Sequence, residues 1–112
     1  MSSLVSENDR IRIWNDHLRQ FHRGGMVVIS RGLAALDRQV WAEVITAVAR
    51  FDAFTPENDP YGEHDCALVE LGELHIIWKI DYFDPTMTAG SENPADVERT
   101  RRVLTVMLAD EY

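Results

Sequence analysis

Four ionisable side chains crowd into seven residues: Asp59, Glu63, His64 and Asp65, with Tyr61 and Gly62 among them. A histidine beside a carboxylate can act as a general base, because the carboxylate sets the ring tautomer and supports its protonated form. The same pairing can hold a metal. A further carboxylate comes from the chain beyond. Residues 65–71 and 74–82 read as two strands, and Gly72-Glu73 fits a two-residue turn with glycine at the first central position. That register sets Glu70 opposite His75, Leu68 opposite Ile77, Cys66 opposite Lys79 and His64 opposite Asp81, all on one face. The expected site therefore centres on His64 and Asp81, with Asp59 or Glu63 contributing. The plainer expectation is that Asn58, Asp59 and Asp65 bond loop amides and that His64–Asp81 is an edge pair.

Other chemistries find less support. His75 pairs with Glu70, six residues from His64. At about 3.3 Å per residue that is roughly 20 Å, too far to share an ion. His17 and His22 are five apart on a helix and point in different directions. Neither a metal nor a cofactor is expected. Cys66 is the only cysteine, which rules out an internal disulfide and a cysteine-based zinc site. It stands beside Lys79 and reads as strand packing rather than as a nucleophile. No glycine loop is built to cradle phosphate. No residue is assigned a catalytic role beyond the candidates His64 and Asp81.

The elements that must position these groups follow from periodicity. A helix is expected near residues 7–22, capped by Ser6, with Ile11, Trp14, Leu18 and Phe21 on one face. Arg12, Asp16, Arg19 and Arg23 fall on the opposite face, which reads as solvated. Met26 to Ser30 forms a short strand of β-branched residues. A second helix follows Asp37, with Trp41, Val44, Ile45, Val48 and Phe51 as its apolar stripe, and stops before Pro56. The loop PENDPYGEHD comes next. In the second hairpin strand, Leu74, Ile76, Trp78, Ile80 and Tyr82 alternate with His75, Ile77, Lys79 and Asp81, and Trp78 marks the core face. Asn93, Pro94 and Asp96 announce a last helix, with Val97, Leu104, Met107 and Leu108 inward and Arg101 and Arg102 paired to Glu98. The fold expected is α+β, in the order α-β-α-β-β-α. A small three-stranded sheet includes the hairpin, with helices mainly on one face, in one domain over residues 1–112.

Charge narrows the partners. The net charge is −8, and residues 51–96 hold eleven acids against one base, Lys79. Such a segment repels phosphate backbones and attracts basic proteins. No segment has the roughly 18 apolar residues of a membrane span, and MSSLVSENDR lacks the features of a secretory signal. A cytoplasmic location is expected.

The segments GGMVVISRGLAAL, FTPENDPYGEHD, IIWKIDYFD and TRRVLTVMLADEY resemble the domain of unknown function 3768, over roughly residues 8–112. NDPYGEHD and WKIDY are the most specific pieces. The resemblance implies a small bacterial cytoplasmic protein, often encoded on plasmids and other mobile DNA. It carries over no activity. The matching positions Asp59, Tyr61, Gly62, Glu63, His64, Asp65, Lys79, Asp81 and Tyr82 mark the same region as the spacing does. The function expected is a non-enzymatic acidic module that binds a basic protein surface, such as that of a nucleic-acid-binding host enzyme. Its contacts would be Asp59, Tyr61, Glu63, His64, Asp65, Lys79 and Asp81. The alternative is a small hydrolase or other acid–base enzyme centred on His64 and Asp81.

Overall fold

The computed structural model describes residues 5–112. Helix α1 spans Glu7–Phe21, and the Ser6 side chain accepts a hydrogen bond from the Asp9 amide at its start. Strand β1 (Gly25–Ile29) follows, then a one-turn helix α2 (Arg31–Ala34) capped by Ser30, then α3 (Arg38–Arg50). The long loop leads to β2 (Cys66–Leu71), β3 (Leu74–Phe83) and, after a second loop with a 3-10 turn, β4 (Arg101–Leu108). The class is α+β.

The hairpin has the register the sequence predicts: Cys66 faces Lys79, Leu68 faces Ile77 and Glu70 faces His75. Gly72 supplies the left-handed turn position at φ 61°. The sheet has four strands rather than three, in the order β1-β4-β3-β2. The additional strand is the segment expected to be the last helix. Val103, Leu104, Val106 and Met107 fit a helical stripe by spacing. In a central strand, however, both faces are covered and the alternation that identifies a strand disappears. β4 lies between β1, which it pairs in parallel, and β3, which it pairs antiparallel. The Asn93-Pro94 signal starts only the 3-10 turn Val97–Arg99, where the Asp96 side chain accepts from the Glu98 amide.

Leu18, Leu33, Val44 and Val48 from the three helices pack on Val69, Ile76, Trp78, Ile80, Leu104 and Val106. These sheet residues share one face, the predicted one. Full burial of each large apolar side chain contributes about 1.5–3 kcal/mol. Two stripes need correction. Phe21, expected in the core, is exposed. Arg19, expected on a solvated face, is only 2% exposed. It turns inward because the carbonyls that end α3 need donors. Its Nη1 donates to the oxygens of Val48, Ala49 and Phe51 at 2.9, 3.1 and 2.9 Å.

Among the described residues, no helix is long and apolar enough to cross a membrane.

Candidate functional site

The loop between α3 and β2 is built from the inside outward. Asn58 Oδ1 accepts from the Thr55 amide and Thr55 Oγ1 from the Asn58 amide, a reciprocal turn. Asn58 Nδ2 donates to the Ala53 carbonyl. Asp59 is buried, and its Oδ1 accepts from the His64 amide at 3.1 Å. These bonds close residues 59–64 into a tight bend in which Gly62 and His64 adopt left-handed φ values of 66° and 54°. For glycine such a φ carries little strain, whereas for histidine it requires outside support.

That support comes from α1. His64 Nδ1 lies 2.8 Å from Asp16 Oδ1, and His64 Nε2 lies 3.5 Å from Asp59 Oδ2. The imidazole stacks on Phe54, with ring centroids 3.6 Å apart and planes 5° from parallel. Asp16 also pairs with Arg19 at 2.9 Å, and the Arg19 guanidinium lies over Phe54 and Trp78. Thus His64 is held at both ring nitrogens and on a ring face.

One face of α1 holds the loop backbone. Asn8 donates to the Tyr61 carbonyl at 3.1 Å, Arg12 to the Gly62 carbonyl at 3.4 Å and Asn15 to the Glu63 carbonyl at 3.0 Å. Residues 8, 12 and 15 follow helical spacing, so successive turns of α1 take successive carbonyls of the loop. Asn15 Nδ2 also donates to the Tyr82 hydroxyl at 2.7 Å, and that hydroxyl donates to Glu63 Oε1 at 3.0 Å. Burial pushes the Tyr82 phenol well above its ordinary value. Arg102, buried beneath, donates through Nε to Asn15 Oδ1 at 2.8 Å and through Nη2 to the Pro94 carbonyl. Sequence reading assigned Arg102 to a helix-surface pair with Glu98. In the strand it points into the core side instead.

The expected site residues divide into four groups. Asp59, Glu63 and His64 come together, but their polar atoms are bonded within the protein. Lys79 and Asp81 pair with each other at 2.9 Å on the outer face of β3, and that bond holds the Lys79 ammonium above its usual value. The expected His64–Asp81 pair does not form. The strand ladder starts at Cys66, and His64, in its left-handed bend, reaches Asp16 instead. Asp65 is half-buried, and desolvation raises its carboxyl above the ordinary range. Tyr61 stands apart: its side chain is 73% exposed at the loop tip although its carbonyl is bonded. Cys66 lies at the sheet edge, where partial burial and then Asp65 and Asp59 push its thiol up.

Asn8, Asn15, Asp16, Arg19 and Arg102 are the residues that sequence reasoning missed. The available signal was Asp16 at helical spacing from two arginines, which read as a self-neutralising surface. Among the described residues, no group of three or more His, Cys, Asp or Glu side chains is arranged to hold a metal ion.

The family model described as "Protein of unknown function (DUF3768)" matches residues 29–111, a span that begins at the last residue of β1, after α1, and includes α2, α3, the loop and strands β2, β3 and β4. No curated protein and no solved structure matches the chain.

Proposed function

Because the chain belongs to the DUF3768 family of proteins of unknown function, we propose its function from its own geometry: it is a non-enzymatic binding module that docks a basic protein surface through the loop between α3 and β2. One observation carries this reading. The loop backbone is fixed by three side chains of α1, while the aromatic ring of Tyr61 at its tip faces solvent. A tyrosine on a pre-ordered loop is a strong anchor, since little conformational freedom is lost on binding. Exposed Asp52 and Glu57 lie on the same loop, in the segment with eleven acids and one base. Charge of that sign steers a basic partner to the anchor.

The bonding of His64 supports binding over catalysis. An acid–base pair of His64 and Asp81 would have to share a proton. Each side chain is bonded elsewhere, the first to Asp16 and Asp59 and the second to Lys79. In this reading the protein works in the bacterial cytoplasm, encoded on mobile DNA. Its target is a protein with a basic face, such as a host enzyme that binds nucleic acid.

Affinity capture from the native host, with wild type and Tyr61→Ala compared at low and high salt, tests the proposal. A basic protein held by wild type at low salt, released by salt and lost with Tyr61→Ala is the expected result. Equal capture by both forms overturns it.

A further inference from the structure

The strand order β1-β4-β3-β2 leaves β1 at an edge, with β4 on one side only. The Ser30 amide donates to the Val106 carbonyl at 2.9 Å. Alternate residues of a parallel strand face the same neighbour, so Met26 and Val28 also turn their amides and carbonyls to β4. Gly25, Val27 and Ile29 turn theirs outward. Among the described residues, no further strand pairs with that side, and no hydrogen bond outside the ladder uses those groups. Edge strands are commonly blunted by a charge, a proline or a bulge. β1, GMVVI, has none of the three, and its register with β4 runs unbroken from Gly25 to Ile29. The opposite edge strand, β2, carries Glu70. Val27 and Ile29 pack against the core, so Met26 and Val28, both exposed, point to the face away from the helices. A row of unpaired amides and carbonyls beside such apolar surface is a template for one more strand.

We propose that the outer edge of β1 takes up an extended segment of a partner protein as a fifth strand, with apolar residues at the centre of that segment and an acid at each end. Charge selects the occupant. Although the chain carries −8 overall, residues 17–36 hold three arginines and no acid. Arg19 is buried and paired with Asp16. Arg23 and Arg31 are exposed, one just before β1 and one just after it, and among the described residues neither pairs with a carboxylate. Arg23 also shares a hollow with His17 and exposed Phe21. Glu111 approaches the Arg31 end, but its carboxylate is taken by the Ser30 hydroxyl and by the amides of Gly32 and Leu108. A strand laid along β1 therefore meets a cation at each end and apolar side chains between them. Acids roughly six to eight residues apart match that pattern in either strand direction. A second copy is a poorer occupant. Antiparallel pairing of β1 with β1 about a two-fold axis sets Arg23 of each copy beside Arg31 of the other, like charge against like. The inference rests on β1 and its ends, and is independent of the loop between α3 and β2.

Selection of a phage-displayed library of random peptides, about twelve residues long, on the immobilised full chain tests it. Counter-selection on the variant Arg23→Glu with Arg31→Glu, both at exposed positions, removes peptides that bind elsewhere. The expected pool is enriched in β-branched runs flanked by acids. A peptide synthesised from that pool should slow amide exchange at Gly25, Val27 and Ile29 about tenfold or more, while Met26 and Val28, already in the ladder, change little. The double-glutamate variant should bind that peptide about tenfold more weakly or worse. Val27→Pro removes one outward amide, leaves the β4 ladder intact and should abolish binding. An empty pool, or one without acids at the ends of its apolar runs, overturns the proposal. So does a bound peptide that leaves the three outward amides unprotected, or undiminished binding by folded Val27→Pro. Sedimentation of the free chain at masses above the 12.8 kDa of one chain, with the same three amides already protected, overturns it in favour of a second copy.

Discussion

His64 Nδ1 lies 2.8 Å from Asp16 Oδ1, although 48 residues of chain separate them. Asp16 Oδ1 is also 2.9 Å from the Arg19 guanidinium, and that guanidinium caps the carbonyl end of α3. One carboxylate therefore joins α1, the end of α3 and the loop that follows it. The shape of the loop is a consequence of helix side chains, not of the loop residues alone.

Arg19 should be the most sensitive charged residue for stability. Arg19→Met removes the donors to three carbonyls and leaves Asp16 with one partner fewer. Loss of one partner from such a buried arrangement costs about 3–5 kcal/mol. Urea denaturation measures it. Arg19→Lys should recover less than half, because a single ammonium cannot replace the planar fork. A cost below about 1 kcal/mol for Arg19→Met would show that the α3 carbonyls find other donors.

Asp65 should respond to pH in the opposite sense to a stabilising carboxylate. Desolvation raises its folded-state value, and Asp59 and Asp81 add to the effect. A folded value above the unfolded one means that the folded protein holds the proton more tightly. The charged form then costs stability above the folded value, and the cost disappears as pH falls through it. Asp65→Asn should raise the melting temperature near about pH 7 and leave it unchanged below about pH 3. Solvent screens this half-buried group, so the rise should be a few degrees at most. A lower melting temperature at neutral pH would mean that the charged carboxylate makes a contact worth more than its desolvation.

Trp78 is fully buried beneath α3 and touches Phe51 and Phe54 edge-on. Trp78→Ala should cost about 3–5 kcal/mol. A loss below about 1 kcal/mol would mean that the side of the sheet facing the helices contributes little to folding.

The hairpin was legible because alternation in β3 and a glycine turn are local signals. The charged loop was legible as a region for the same reason. What sequence hid depends on distant partners. β4 lacks alternation because it is central, and that position depends on β1, some 75 residues earlier. Arg19 and Arg102 looked like surface charges because nothing near them in sequence reveals the buried carbonyls they serve. His64 was assigned to Asp81 by extending the strand ladder past Cys66, where the left-handed backbone at His64 ends it. A one-strand extrapolation cannot anticipate a ring turned toward a helix.

Tyr61 should separate binding from folding. Its side chain carries almost no packing, so Tyr61→Ala should change stability by no more than about 0.5 kcal/mol. Asn15→Ala should lower stability much more, since it leaves the Glu63 carbonyl, the Tyr82 hydroxyl and buried Arg102 each short of a partner. Thermal melts of the two variants side by side check the contrast. Equal losses would place the Tyr61 ring inside the fold.

The most direct test of the account places a photoreactive benzoylphenylalanine at position 61 in the native host, with the same group at exposed Gln20 as control. A loop that presents Tyr61 to a partner predicts one discrete adduct at position 61, to a protein with a basic surface, reduced by high salt and absent from position 20. No adduct at position 61, or the same adducts from both positions, would contradict the claim that this loop is a recognition surface.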